Sequence, residues 1–224
     1  MIAVGIDMEI EMDKLQDLFQ KNRAWAQRRC QQDAGYFERL SSLQAPKHLW
    51  IGCSDSRVPA NEIVGLEPGE MFVHRNVANI VVHTDFNCLS VIQFAVEILK
   101  VEHIIVCGHH GCGGIRAALS GGQLGLIDNW LRHIKDVYQN NSTVLDATAN
   151  ENARLDLLCE LNVAQQVANV CHTTIVQNAW QRSQPLTVHG WIYKLTDGLL
   201  RDLGFCITGP GQVPLIYRVT HGDL

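Results

Sequence analysis

The sequence predicts an α/β fold with a mainly parallel β-sheet flanked by helices, and three observations carry that expectation. Leu49 to Cys53 and His103 to Gly108 are short apolar runs, as in parallel strands buried on both faces. Between them Asn87 to Lys100 is largely apolar and reads as a buried helix, so the order strand, helix, strand is a βαβ unit. Both runs end in segments of small and chemically active residues, Cys53-Ser-Asp55-Ser-Arg57 and Gly108-His109-His-Gly-Cys112-Gly-Gly114.

The remaining elements follow in order. Met12 to Arg29 has the period of an amphipathic helix, with Leu15, Leu18, Phe19 and Trp25 near one face. Because it precedes the first strand, this arm must pack on later chain or on another subunit. Gln44-Ala-Pro46 breaks the pattern, and Pro59-Ala-Asn-Glu62 opens a short helix. Glu67-Pro-Gly69 is a turn before a second strand, Met71 to His74, and Asn87 is the expected N-cap of the buried helix. Helices are expected at Ile115 to Leu119, Asp128 to Tyr138 and Glu151 to Val170, the last on Leu155, Leu158, Val163 and Val167. Gln139 to Asn152 is polar and partly loop. Thr173 or Thr174 caps a further helix carrying Ile175, Val176 and Trp180; Leu186 to Tyr193 is a strand, and Gly204 to Val219 is turn and strand. With no internal repeat or linker, residues 1–224 are expected to form a single catalytic domain, about 12–45 being the helical arm.

Composition excludes several classes. A chain of 224 residues with 46% hydrophobic and 18% charged residues is long enough for a core and too apolar to be disordered. A formal net charge of −5 leaves no basic surplus for nucleic acid. No apolar run reaches the ~18 residues of a membrane span, and Met1 to Met12 lacks the basic start of a signal peptide, Met8 and Met12 being alternative starts. Of the eight cysteines, Cys30, Cys88, Cys159, Cys171 and Cys206 sit in apolar or helical surroundings, where a free thiol acts as a small hydrophobe. A reducing, cytoplasmic setting is expected.

The chemistry concentrates at the two strand exits. In an open α/β sheet, ligands gather at the carboxyl ends of strands. Cys53 ends one predicted strand, His109 lies just past another, and Cys112 stands on the turn into the next helix. Two thiolates and an imidazole are a normal zinc set, and Asp55 can supply a fourth donor. Read singly, each half stays open to a plainer meaning: a buried core cysteine, or a glycine-rich turn that cradles phosphate. Asp55 has two partners available, the metal and Arg57, and Arg57 offers it a bidentate alternative to coordination.

Cys53-Ser-Asp55-Ser-Arg57, Arg75-Asn-Val-Ala-Asn79 and Gly108-His109-His-Gly-Cys112-Gly-Gly114 together resemble the motifs of the β-class carbonic anhydrases, and the likeness runs from about Met12 past Tyr193. The resemblance implies a zinc enzyme that interconverts carbon dioxide and bicarbonate, with Cys53, His109 and Cys112 as ligands and Asp55 and Arg57 as the catalytic dyad. It implies a homodimer, or a dimer of dimers, whose N-terminal helix reaches the partner subunit. Zinc acidifies bound water to a hydroxide that attacks carbon dioxide; Asp55 on the metal closes the site, and Asp55 paired with Arg57 opens it. Trp50, Arg75 and Tyr193 are similar to the triad that binds bicarbonate in the family's allosteric branch, and supply an indole N–H, a guanidinium and a phenol O–H. His83 and Asp85 lie in a loop that lines the pocket or moves protons, or is plain surface. The alternatives on the same residues are a carbonyl sulfide or carbon disulfide hydrolase and a non-catalytic zinc-binding protein. A structural zinc site needs no displaceable carboxylate, which argues against the latter.

Overall fold

A computed structural model of the chain describes residues 4–42 and 44–220, so what was read at the first three residues lies outside the described part. The chain divides at Gln44 and Ala45 into two units. In the first, α1 (Val4–Gln32) is longer than the pattern from Met12 predicts, and α2 (Tyr36–Ser42) was not foreseen. Asp33 makes the turn between them: its Oδ1 accepts from the Gly35 N–H at 3.1 Å, and its carboxylate pairs with Arg39. Trp25 meets Tyr36 and Phe37 edge-on, at 6.5 and 5.6 Å between ring centroids. Leu15, Leu18 and Phe19, the predicted apolar stripe, are exposed.

The second unit is built on β1 (His48–Cys53), followed by α3 (Ala60–Val64), β2 (Met71–Asn76), α4 (Phe86–Gln93) and β3 (His103–His109). Then come α5 (Gly113–Leu119), α6 (Ile127–Asn140), α7 (Ser142–Asp146), α8 (Glu151–His172) and α9 (Thr174–Gln181). The chain closes with β4 (Thr187–Lys194) and β5 (Leu199–Ile207). The sheet order is β2-β1-β3-β4-β5; the first four strands are parallel, and β5 pairs antiparallel to β4. This is the mainly parallel α/β architecture expected.

Strand alternation assigns the two faces. Leu49, Ile51, Ile104, Val106, Val188 and Ile192 enter the large core, to which α8 contributes Leu158, Val163 and Val167. Trp50, Ile105 and Cys107 enter a smaller cluster with Trp191 and Tyr193 on the opposite face.

Several boundaries differ from expectation. The N-cap of α4 is Asp85, not Asn87: its Oδ1 accepts from the N–H groups of Asn87 and Cys88, at 3.0 and 3.3 Å. The helix predicted to Lys100 continues past Gln93 as a π-helical turn, Phe94–Ile98. The last strand begins at Leu199 rather than near Gly204, and beyond Ile207 the described chain forms 3-10 turns. Short α7 lies inside the segment read as loop. Thr173 caps α9, its hydroxyl accepting from Val176 N–H at 3.3 Å.

Candidate metal centre

The parallel topology brings the carboxyl ends of β1 and β3 side by side, with Gly52 opposite Cys107. Cys53 ends β1, His109 ends β3, and Cys112 is the residue before α5. Gly111 makes the intervening turn at φ +71°, a left-handed conformation that favours glycine. The donor atoms of Cys53, His109 and Cys112 all lie within 4.8 Å of one another, and all three residues are buried. The two sulfurs are 3.9 Å apart.

This set fits a metal. His109 Nδ1 lies 3.2 Å from the His110 carbonyl, which assigns the ring hydrogen to Nδ1 and leaves the Nε2 lone pair facing the sulfurs. Nε2 is buried and has no hydrogen-bond partner, an arrangement that is costly unless a cation uses it. The hydrogen bond from the Cys112 thiol, with the backbone N–H groups of Asp55 and Ala78, holds the Cys53 thiol well below its usual range despite burial. Cys112 is pushed up by the same pairing and by burial. One proton shared between two sulfurs is what a divalent cation displaces.

Asp55 is turned to Arg57. The guanidinium donates from Nε to Oδ1 at 2.9 Å and from Nη2 to Oδ2 at 2.7 Å, and the Arg57 backbone N–H adds a third bond at 3.0 Å. These bonds hold the Asp55 carboxyl well below the usual carboxylate range. Its Oδ2 is 3.8 Å from His109 Nε2, beside the donor cluster rather than within it. Next to the centre is a cavity of about 360 Å³, whose wall includes Arg57, Cys112, Arg116, Asp156 and Lys194.

Arg75 stands opposite Gly52 on β2 and grips the same loop, Nε donating to the Cys53 carbonyl at 2.8 Å and Nη2 to the Asp55 carbonyl. Trp50 is buried, and its indole nitrogen leans over Gly52, where a Cβ would fall only 2.3 Å away. Tyr193 packs against the Trp50 cluster, on the same sheet face. The three residues therefore share a face, while Arg75 is engaged with backbone carbonyls. His83 lies elsewhere in its bonding: its Nε2 contacts the Asn169 carbonyl at 2.9 Å, and its ring stacks near His172.

Sequence reasoning missed a row of amides on α8. Asn162 donates to the Ala78 carbonyl at 2.9 Å, Gln166 accepts from Val81 N–H at 2.9 Å, and Asn169 donates to the Val81 carbonyl at 2.8 Å. Gln166 also donates to Asn162 Oδ1 at 2.9 Å. The loop so held includes Ala78 and Asn79 at φ +66° and +48°, unusual for residues with a Cβ. Ala78 is also the residue whose N–H faces Cys53. The signal was present as amides spaced by four and three along an otherwise apolar helix face.

The family model described as carbonic anhydrase matches residues 48–200. The carbonic anhydrase of Emericella nidulans is 46% identical over 222 residues, covering 99% of this chain and 96% of that protein. Among solved structures, one of two tetrameric β-carbonic anhydrases from Sordaria macrospora superposes with a TM-score of 0.83 at 39% identity, covering 88% of this chain and 100% of that one. A Coccomyxa β-carbonic anhydrase in complex with acetazolamide matches with a TM-score of 0.83 at 41% identity, covering 87% and 88% of the two chains.

Proposed function

The chain belongs to the β class of the carbonic anhydrase family, and from that premise we propose how it carries out the reversible hydration of carbon dioxide. Cys53, His109 and Cys112 would hold a zinc ion. The observation that carries this reading is the buried, unpartnered His109 Nε2 facing two sulfurs. When bound, zinc supplies the Lewis acidity that makes water a competent nucleophile near neutral pH.

The protein's own residues do the rest. Two thiolates and a neutral imidazole would hold the ion and leave a position for one solvent donor. Asp55, kept ionised by Arg57, is a permanent hydrogen-bond acceptor beside that position and orients the nucleophile. Arg57 also decides where the carboxylate rests. While the bidentate pair holds, the position stays open; if Arg57 releases it, Asp55 can take that position and close the site. Arg57, Arg116 and Lys194, against the single carboxylate of Asp156, give the adjoining cavity a wall with a cationic surplus suited to a departing bicarbonate.

Trp50, Arg75 and Tyr193 form a second, regulatory bicarbonate site in this proposal. Their common sheet face supports it. An anion there competes with the Cys53 and Asp55 carbonyls for the Arg75 guanidinium, and so acts on the loop that carries Asp55. The N-terminal unit packs on a second subunit, and the enzyme is a homodimer or a dimer of dimers. The exposed Leu15, Leu18 and Phe19 support the first point, and the tetrameric relative supports the second. A cytoplasmic location is part of the proposal, since the eight free thiols suit a reducing compartment.

The test measures carbon dioxide hydration and metal content on the same sample. Cys53→Ala, His109→Ala and Cys112→Ala should each lose zinc and activity. Asp55→Asn should keep zinc and lose turnover. Ligand variants that retain both stoichiometric zinc and wild-type rates would overturn the assignment.

A further inference from the structure

A second cluster of metal donors lies on residues that the hydration site does not use. His74 on β2, Asp85 at the N-cap of α4 and Cys88 in its first turn bring an imidazole nitrogen, a carboxylate oxygen and a thiol sulfur all within 4.8 Å of one another. His74 and Cys88 are buried, and Asp85 alone is partly exposed. We propose that His74, Asp85 and Cys88 form a second, non-catalytic site for zinc, or for a divalent ion of similar softness, that braces β2 against α4.

The donor set suits such an ion. One carboxylate and one thiolate neutralise a divalent charge, and imidazole completes a mixed N, O, S set of the kind zinc accepts. In a tetrahedral zinc site with ordinary bond lengths the donors stand about 3.3–3.8 Å apart, so the cluster has to contract by only about an ångström. Asp85 Oδ1 is occupied by the α4 cap, while its other oxygen accepts no hydrogen bond among the described residues. His74 Nε2 takes a hydrogen bond from the Asn76 amide at 3.1 Å, which marks it as the ring nitrogen with the lone pair. That amide also holds the Ile80 carbonyl at 2.7 Å, so it keeps a partner if the imidazole turns to a metal. Binding the ion through the Cys88 sulfur releases the thiol proton to solvent.

The position gives the site a structural consequence. His74 and Asp85 stand at the two ends of the loop whose Ala78 N–H faces Cys53. An ion joining them holds both ends of that loop, and with it one donor to a ligand of the first centre.

The experiment uses enzyme brought to one zinc per chain, so that a second site is free. Cd2+ is titrated in while zinc content is monitored, and cadmium–thiolate charge-transfer absorption is read in the ultraviolet. The wild type should take up one cadmium per chain with a thiolate signature and without losing its first zinc. Cys88→Ser should abolish the thiolate band, and His74→Gln should weaken uptake by at least about tenfold, both with the first zinc retained. Because Cys88 is buried, the His74→Gln variant keeps the test decisive if Cys88→Ser folds poorly. His103→Gln is the control, since His103 Nδ1 and His189 Nε2, 3.1 Å apart on the other sheet face, are a competing pair of donors. Uptake of no second ion, or uptake lost in His103→Gln and intact in His74→Gln, would overturn the proposal.

Discussion

Asn162 and Gln166 carry no charge and touch no predicted ligand, yet they determine how firmly Cys53 is surrounded. Both are buried, and their amides satisfy backbone groups of a loop that bends through two left-handed, non-glycine residues. Such conformations persist only where the surroundings over-determine them. Asn162→Leu removes the donor to the Ala78 carbonyl and the acceptor for Gln166 together. Leaving buried polar groups unpaired costs about 1–3 kcal/mol each. Urea unfolding of Asn162→Leu should therefore show a loss of at least that size, with an unchanged slope. Because Ala78 N–H is held on Cys53 from the same loop, bound zinc should also pass to a chelator faster than from the wild type. A destabilised variant with an unaltered rate of metal loss would confine the amides to a purely structural part.

Among the elements, α5 shows how closely helix and site are fitted. Its second residue, Gly114, faces the loop: a Cβ there would stand 2.9 Å from Val77 Cγ1 and 3.1 Å from Ala78 Cβ. Gly114→Ala must push α5 away from that loop or shift the loop itself, and Cys112 directly precedes α5. Overpacking of this kind costs about 1–3 kcal/mol. The expected result is a lower urea midpoint and a lower zinc occupancy, whereas a fully loaded and equally stable Gly114→Ala protein would show that the contact relaxes freely. The elements were unevenly legible in the sequence. β1, β3 and α8 were readable because continuous apolar runs and 3.6-residue periods report burial directly. The cluster of Cys53, His109 and Cys112 was readable because thiol and imidazole at two strand exits have few other reasons to occur together. The α4 cap was placed on the wrong residue because Asp85 and Asn87 both suit an N-cap, and only backbone geometry separates them. The start of β5 was missed because Leu199 to Asp202 alternates weakly on an exposed edge strand, where burial imposes little pattern. The amides of α8 were hidden by the apolar residues around them.

At the scale of the whole molecule, two responses to solution conditions follow. Burial lowers His74, His172 and His189 below the ordinary histidine range. Each is thus more readily protonated in the unfolded chain, whose histidines titrate near about pH 6.5. The unfolded state binds more protons below that pH, so stability is fully present above it and declines as the medium is acidified through the lowered folded values. The urea midpoint should fall between about pH 7.5 and 5.5, and His189→Asn should fall less steeply than the wild type. An equal slope would remove His189 from the acid response. Bicarbonate provides the second response. If it binds at Trp50, Arg75 and Tyr193, it shifts the enzyme only by its difference in affinity between two states. In the structure Arg75 is spent on the Cys53 and Asp55 carbonyls while Asp55 is paired with Arg57. Under the proposed mechanism the anion would favour a state in which Arg75 has left those carbonyls and Asp55, on the loop so freed, closes on the metal. Bicarbonate should then inhibit beyond product competition, and cooperatively if subunits switch together. Each charged hydrogen bond lost is worth about 1.5–3 kcal/mol, so Arg75→Ala should weaken the site at least about tenfold, but it also frees the loop carbonyls. Trp50→Phe and Tyr193→Phe are the cleaner variants, since neither holds that loop. Both should retain zinc and require more bicarbonate for the same inhibition, and identical simple competitive curves in all three proteins would show that this face of the sheet binds no regulatory anion.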